Sequence, residues 1–159
     1  MEIIAPDKRI LQKDLLILAH LRQNARETLT SLSKKTRIPI STIYDRLKAN
    51  ENCLIKKHTC LLDYQMLGFN TRANVVIKVG KRQKDAFRDM VVGMDNINSV
   101  YKINNGYDFL IDVIFRNIKE LESFLERLDD KFTIKSRQVF HVIEDLKTEC
   151  FMSYPELVS

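Results

Sequence analysis

The chain is poor in the residues that staple, ligate or span. Its three cysteines, Cys53, Cys60 and Cys150, are odd in number and form no CxxC or Cys/His spacing, so they read as reduced, mostly buried small hydrophobes in an intracellular protein. His20, His58 and His141 each lack a second ligand at i+3 or i+4, which gives a metal site no support, and no cofactor is expected. The longest aliphatic run, Leu15 to Ala19, is far short of the roughly 20 residues a bilayer-crossing helix needs. Met1-Glu2-Ile3-Ile4-Ala5-Pro6-Asp7 has no basic segment followed by a long apolar core, so no secretory signal is expected. These readings point to a cytoplasmic protein with no membrane partner.

What is present is a sufficient core and an uneven distribution of charge. In 159 residues, an apolar content of 45% supports one medium domain or two small ones. Residues 1–60 carry 12 Lys/Arg against 6 Asp/Glu, whereas residues 61–159 carry 14 against 15. The net charge of +5 therefore belongs to the N-terminal block. A basic small domain joined to a near-neutral larger one suggests a polyanion binder attached to something with another task.

The apolar spacing of that block predicts three helices. Ile17, Leu18 and Leu21 give an inward stripe from about Asp14 to Gln23, with Asp14 as a cap or first-turn acid. Leu29 and Leu32 mark a second short helix, and Arg37-Ile38-Pro39 breaks it. Ile40, Ile43 and Leu47 mark a third, running to Asn50. On this last helix Ser41, Asp45 and Lys48 fall opposite the aliphatics, flanked by Thr42 and Tyr44. Small hydrogen-bonding side chains on a helix held from behind suit a DNA major groove, although an ordinary bundle helix shows the same pattern. Residues 54–62, aliphatic at both ends around Lys56, Lys57 and His58, read as a two-stranded wing beside the phosphates. Arg46, Lys34, Lys35, Lys56 and Lys57 are the expected backbone contacts. The block from 1 to 62 is thus a winged helix-turn-helix.

Residues 63–70 read as a hinge, and the pattern then changes. Strands are expected at 71–79, 97–103, 109–115 and 136–146, with helices at 82–92 and 118–129. The order β-α-β-β-α-β over residues 71–148 is a ferredoxin-like sandwich, followed by a tail from 149 to 159, and the whole chain is α+β. Asn104, Asn105, Gly106, Tyr107 and Asp108 form a turn cluster between the middle strands, and Asn105-Gly106 suits the positive φ of a type I′ turn. Several strands are apolar on both faces, so the sheet face left bare by the helices predicts a homodimer through sheet-to-sheet contact.

The residues in register resemble the Lrp/AsnC regulators, also called feast/famine regulatory proteins. Asp14-Leu15-Leu16-Ile17-Leu18 is similar to the D-x-x-I-L opening of that family, Asn24-Ala25-Arg26 to its N-x-R, and Ile43-Tyr44-Asp45-Arg46-Leu47 to its V-x-x-R-[IL] recognition helix. Leu54-Ile55, Leu62-Asp63 and Leu67-Gly68-Phe69 resemble its wing and hinge, and Tyr107-Asp108-Phe109-Leu110-Ile111 its Y-D-[YF]-L-L strand. The resemblance implies that the N-terminal unit binds double-stranded DNA and that the sandwich dimerises. It further implies that dimers assemble into tetramers or octamers, and that an amino-acid effector binds at the 104–108 loop. There Asp108 would meet the ligand ammonium and backbone N–H groups near Gly106 its carboxylate, with a purely structural hairpin as the alternative. The chain departs from the family pattern in four places. Asn105-Gly106 puts the loop glycine one position late, Pro39 stands where the family has a Ser cap, Asn52-Cys53 replaces the leading Gly of the wing, and Asp95-Asn96 stands in place of the Pro-Gly before the second strand.

No catalytic set is evident. Asp108 and Asp112 share a strand face without a base, nucleophile or metal ligand beside them. Sirohaem decarboxylases resemble this architecture, but the His-Asn-Tyr signature is lacking, since His58 precedes Thr59-Cys60 and His141 precedes Val142-Ile143. A metabolite-binding sandwich without DNA fits poorly with the basic N-terminal block.

Overall fold

The structure is a computed structural model that describes residues 10–51 and 53–158. The Met1–Asp7 reading and Asn52 of the wing lie outside the described residues. The chain divides into two units, one made of the residues up to Cys60 together with those from Leu146 onward, the other of Leu61–Asp145.

In the first unit, three helices enclose a small core: α1 (Gln12–Gln23), α2 (Leu29–Thr36) and α3 (Ile40–Asn50). Ile17, Leu32, Ile38 and Ile43 are buried together, with Leu21, Leu29 and Leu47 packed against them. Two details differ from the sequence reading. Ile40, expected inward, is 45% exposed, and Asn50 is buried instead. Ile43, Leu47 and Asn50 at i, i+4 and i+7 define the inner line more closely than a stripe beginning at Ile40, which sits in the first turn beside Pro39. The three cysteines are also less buried than expected: Cys53 and Cys60 are exposed and Cys150 is half-buried.

The expected two-stranded wing over 54–62 is not formed. A single parallel bridge, Glu51 to Ile55, is the pairing found there among the described residues. Leu54, Leu61 and Leu62 stay exposed, and a lone hairpin with no covered apolar face has little to hold it. The tail also differs. The residues from Leu146 onward belong to the helix unit, where Ser153 and Val158 are buried.

The second unit is a four-stranded antiparallel sheet of β1 (Thr71–Val79), β2 (Ile97–Lys102), β3 (Phe109–Phe115) and β4 (Ile134–His141), ordered β2-β3-β1-β4. Two helices, α4 (Lys84–Val92) and α5 (Ile118–Lys131), complete the ferredoxin-like order. Strict alternation drives the layering: Ala73, Val75, Ile77 and Val79 of β1 are buried with Ile111 and Val113 of β3 against Phe87, Val91, Leu121, Phe124, Leu125 and Leu128. Phe87 lies 5.2 Å from both Phe109 and Phe132, the second contact edge-on. On the opposite face Val76, Leu110 and Ile114 are half-covered, with Tyr101 and Phe140 exposed. β4 ends at His141, well before the expected Leu146, because its last register partner on β1 is Ala73.

The 63–70 segment, expected as a hinge, groups with the sheet unit and is held by local hydrogen bonds. The Asp63 carboxylate accepts the N–H groups of Gln65 (3.0 Å) and Met66 (3.2 Å), and Gly68 supplies a φ of 83°. Phe69 N–H closes the turn onto the Tyr64 carbonyl at 2.9 Å.

Phe87 joins α4 to β3 and to the end of α5. Phe87→Ala is expected to cost about 3–5 kcal/mol, read as a lower urea midpoint with an unchanged slope.

Candidate nucleic-acid interface

The turn between α2 and α3 is built from local hydrogen bonds. Thr28 caps α2 by accepting the Ser31 N–H at 3.2 Å. Arg37 ends the helix in the left-handed region with φ 59°, a conformation that any residue with a Cβ adopts at some cost. Ser33 Oγ donates to the Ile38 carbonyl at 2.7 Å, and Thr36 Oγ1 accepts the Ile38 N–H at 3.3 Å, so the break is held from both sides. The expected Asn24 motif has a similar local role, its Oδ1 accepting the Arg26 N–H at 3.1 Å after α1.

α3 then presents its face. Ser41, Tyr44, Asp45 and Lys48 are exposed and Thr42 is half-buried, so the five proposed base-facing or adjacent residues lie on an open surface. The phosphate set is more divided. Lys34, Lys56 and Lys57 are exposed, but Lys35 is bound to Glu27 at 2.6 Å. Arg46 is placed inward. Its Nε donates to Asp14 Oδ1 at 2.7 Å and its Nη2 to Oδ2, an ion pair whose carboxylate side chain is 0% exposed. A buried carboxylate on α1 thus holds the guanidinium in a bidentate fork, while the Arg46 side chain stays 26% exposed.

Sequence reasoning missed this cluster, although Asp14 and Arg46 each stood in a motif. Asp14 sits at the third position of α1 and also accepts the Leu11 N–H at 2.7 Å. Leu11 offers no side-chain acceptor in return, so only half of a capping box is made. Asn50 Nδ2 donates to Asp14 Oδ1 at 3.0 Å and to the Arg46 carbonyl at 2.8 Å. Burial alone raises the pKa of Asp14, but Arg46, the Leu11 N–H and Asn50 together bring it below the ordinary carboxylate value.

In the sheet unit, Asn105 (φ 61°) and Gly106 (φ 91°) both take positive φ, and Ile103 N–H bonds the Asp108 carbonyl at 3.0 Å below the turn. Asn104, Asn105 and Gly106 are exposed, and Tyr107 and Asp108 are half-buried. The Asp108 carboxylate, assigned to a ligand ammonium, already has partners: Lys84 Nζ and the Val79 N–H, the latter at 3.0 Å. Burial raises its pKa and these partners, Lys84 first, lower it below the usual range. Asp112 is likewise engaged, by a two-pronged Arg72 (2.9 Å each) and by Asn98 Nδ2 (2.8 Å).

Comparison with known proteins matches both units. Residues 10–49 match the winged helix-turn-helix DNA-binding family and residues 72–150 the Lrp/AsnC ligand binding domain family. The HTH-type transcriptional regulator FL11 of Pyrococcus furiosus is 31% identical over 114 residues, covering 71% of this chain and 76% of that protein. The chain belongs to the Lrp/AsnC family of transcriptional regulators. Among solved structures, LrpC of B. subtilis superposes with a TM-score of 0.79 at 18% identity, covering 88% of this chain and 99% of that one. The transcriptional regulator NMB0573 of Neisseria meningitidis, solved as a complex with L-Met, superposes at 0.78 and 21% identity, covering 91% and 94%. Both show that this Lrp/AsnC chain has the fold of its family.

The buried pair links the stability of the helix unit to pH. Because the folded pKa of Asp14 lies below its unfolded value of about 3.9, its contribution is complete above that value and is lost as pH falls through the folded pKa. Arg46→Ala leaves that carboxylate buried without its cation, with the Leu11 N–H and the Asn50 amide still bonded to it. It is expected to cost about 3–5 kcal/mol and to move acid unfolding to higher pH, followed by circular dichroism across a pH series.

Proposed function

We propose that this Lrp/AsnC regulator binds a pseudo-palindromic DNA site as a homodimer, with α3 of each copy in successive major grooves and half-sites one helical turn, or a multiple of it, apart. The observation that carries this reading is the exposed polar face of α3 on a helix anchored from behind by Ile43, Leu47 and the Asn50–Asp14–Arg46 cluster. Ser41, Thr42, Tyr44, Asp45 and Lys48 would read bases or adjacent phosphates, and Lys34, Lys56 and Lys57 would lie on the backbone. The mixed sheet face of Val76, Leu110, Ile114, Tyr101 and Phe140 supports a second copy as its cover, with tetramers or octamers as further assemblies of such dimers. Among the described residues no helix is long and apolar enough to cross a membrane, and a DNA partner fits a cytoplasmic protein.

An enzymatic reading gains no support from the two aspartates noted in the sequence, since each is tied to a cation of its own. Sensing of an amino acid is supported by the family match over residues 72–150 and by the L-Met complex of the Neisseria relative. In this chain the exposed backbone of Asn104–Gly106 suits a ligand carboxylate, while an ammonium would have to compete with Lys84 for Asp108.

The DNA reading is tested by salt dependence. Lys56→Ala and Lys57→Ala together should lower the slope of log affinity against log salt by about 1.8, at about 0.9 per phosphate contact. An unchanged slope removes the segment from the interface.

The sensing reading is tested by a thermal-shift scan of the twenty amino acids at millimolar concentration. A ligand at a hundredfold excess over its Kd stabilises by about 2.7 kcal/mol, which raises the melting midpoint measurably. A hit weakened in Asp108→Ala places the ligand at the loop, and a hit of undiminished size places it elsewhere. With no hit at all, the 104–108 loop is a turn that fixes strand register.

A further inference from the structure

The middle hairpin of the sheet unit carries a carboxylate whose oxygens are both taken. Asp108 Oδ2 accepts the Val79 N–H at 3.0 Å, Oδ1 is held by Lys84 Nζ, and the Asp108 N–H bonds the Ile77 carbonyl at 2.9 Å. The Asp108 side chain is 15% exposed and that of Lys84 42%, so the cation is the more open half of the pair. A ligand ammonium directed at Asp108 meets one already seated there.

The turn beside it has the opposite chemistry. Asn104, Asn105 and Gly106 are exposed, and their N–H groups bond no other group among the described residues. A side chain at Gly106 would meet nothing within 4 Å, so open space lies over the turn. Gly106 is two residues from Asp108, at most about 7 Å of chain, which brings an anion on the turn into the range of the Lys84 ammonium. Further cations follow along the end of β1. Lys78, Lys81 and Arg82 are exposed and have no carboxylate partner among the described residues, and Lys78 adds its charge to the field at Asp108. Free N–H donors beside surplus cations, with no carboxylate to spare, make a place for an anion.

We infer that the 104–108 loop takes a carboxylate ligand that brings no ammonium, of the α-keto acid class, with its carboxylate on the turn N–H groups and its keto oxygen turned to Lys84. This deepens the sensing reading above and rests on it. An α-keto acid differs from the matching amino acid at one atom: a carbonyl oxygen replaces the ammonium, an acceptor in place of donors, and the ligand carries one more net negative charge. Lys84 can serve that acceptor, since an ammonium has three donors and Asp108 takes one. A zwitterionic amino acid gains little net attraction from the surrounding cations, and it reaches Asp108 only in molecules where Lys84 has let go. Its apparent Kd is the intrinsic one divided by that fraction, so a pair open in roughly a tenth of molecules costs about tenfold in affinity.

Matched ligand pairs titrated calorimetrically into the full-length chain test it: α-ketoglutarate against L-glutamate, pyruvate against L-alanine, and α-ketoisocaproate against L-leucine. The expected result is a pair in which the keto acid binds about tenfold more tightly, a preference that Lys84→Arg keeps and Lys84→Met abolishes. Asp108→Asn, which retains an oxygen for the Val79 N–H, gives a second measurement should Lys84→Met fail to fold. It should leave keto-acid binding in place or strengthen it, because Lys84 is released. Amino acids that bind as tightly as their keto acids overturn the inference and leave sensing standing. A preference of undiminished size in Lys84→Met overturns it as well, as does loss of keto-acid binding in a folded Asp108→Asn. Binding by neither class overturns the sensing reading and this inference together.

Discussion

A carboxylate with no exposed side chain must find its partners inside the protein, and the helix unit is arranged around this requirement. Asp14 gathers the Leu11 N–H, the Arg46 fork and the Asn50 amide, joining the start of α1 to the middle and end of α3. Among the described residues the apolar core beneath is small, four buried residues and three partly buried ones, so the cluster is a substantial part of what holds α3. Hydrophobic contact tolerates sliding, whereas a bidentate guanidinium pair does not. The cluster therefore determines where the outward face of α3 points, and Arg46 contributes to any DNA recognition by placing its neighbours.

The sheet unit follows a different rule. Its covered face is a continuous apolar core, and alternation alone assigns each strand residue to it. The opposite face carries a polar centre, the Arg72–Asp112–Asn98 network, among half-covered aliphatics. Such a face is too apolar to be an ordinary solvated surface and too polar for a core. That is the composition expected of a surface that meets another protein surface.

How much of this was legible in the sequence follows from the range of the interactions involved. β1, β3 and both sheet-unit helices were readable because their periodicities are local, and the Asn105-Gly106 turn because its chemistry lies in two adjacent residues. The two-stranded form of the wing was not, since a stretch with aliphatics at both ends of a basic centre is a strand only if another strand pairs with it, and 54–62 takes part in a single bridge. The inward role of Asn50 was hidden because its partner lies 36 residues away, and polar residues on a periodic stripe read as its end. Docking of the tail was equally hidden, for the Arg22 contacts span 127 and 129 residues and the bonded groups are mostly backbone carbonyls, which no residue pattern marks. Of the residues expected to face DNA, those on α3 lie on an open surface, and Arg46 and Lys35 have acidic partners within their own unit, which the spacing of the sequence does not mark.

Those internal pairs change the electrostatic argument less than they first suggest. Pairing Arg46 with Asp14 and Lys35 with Glu27 removes equal and opposite charges, so the excess of the block is redistributed without being reduced. The division into units sharpens it further. Leu61–Asp145 holds 13 Lys/Arg and 13 Asp/Glu and is neutral, so the whole net charge of +5 belongs to the helix unit with its C-terminal segment. With Arg22, Lys35 and Arg46 each paired to a carboxylate of the same unit, the surplus is carried by others, among them the exposed Lys34, Lys48, Lys56 and Lys57. Exposed cations flanking a polar helix face attract a polyanion over roughly a Debye length of 8–10 Å, and at short range leave the selection of sequence to the uncharged side chains between them. The neutral sheet unit adds no competing field, which leaves its bare face free to associate through shape and apolar contact.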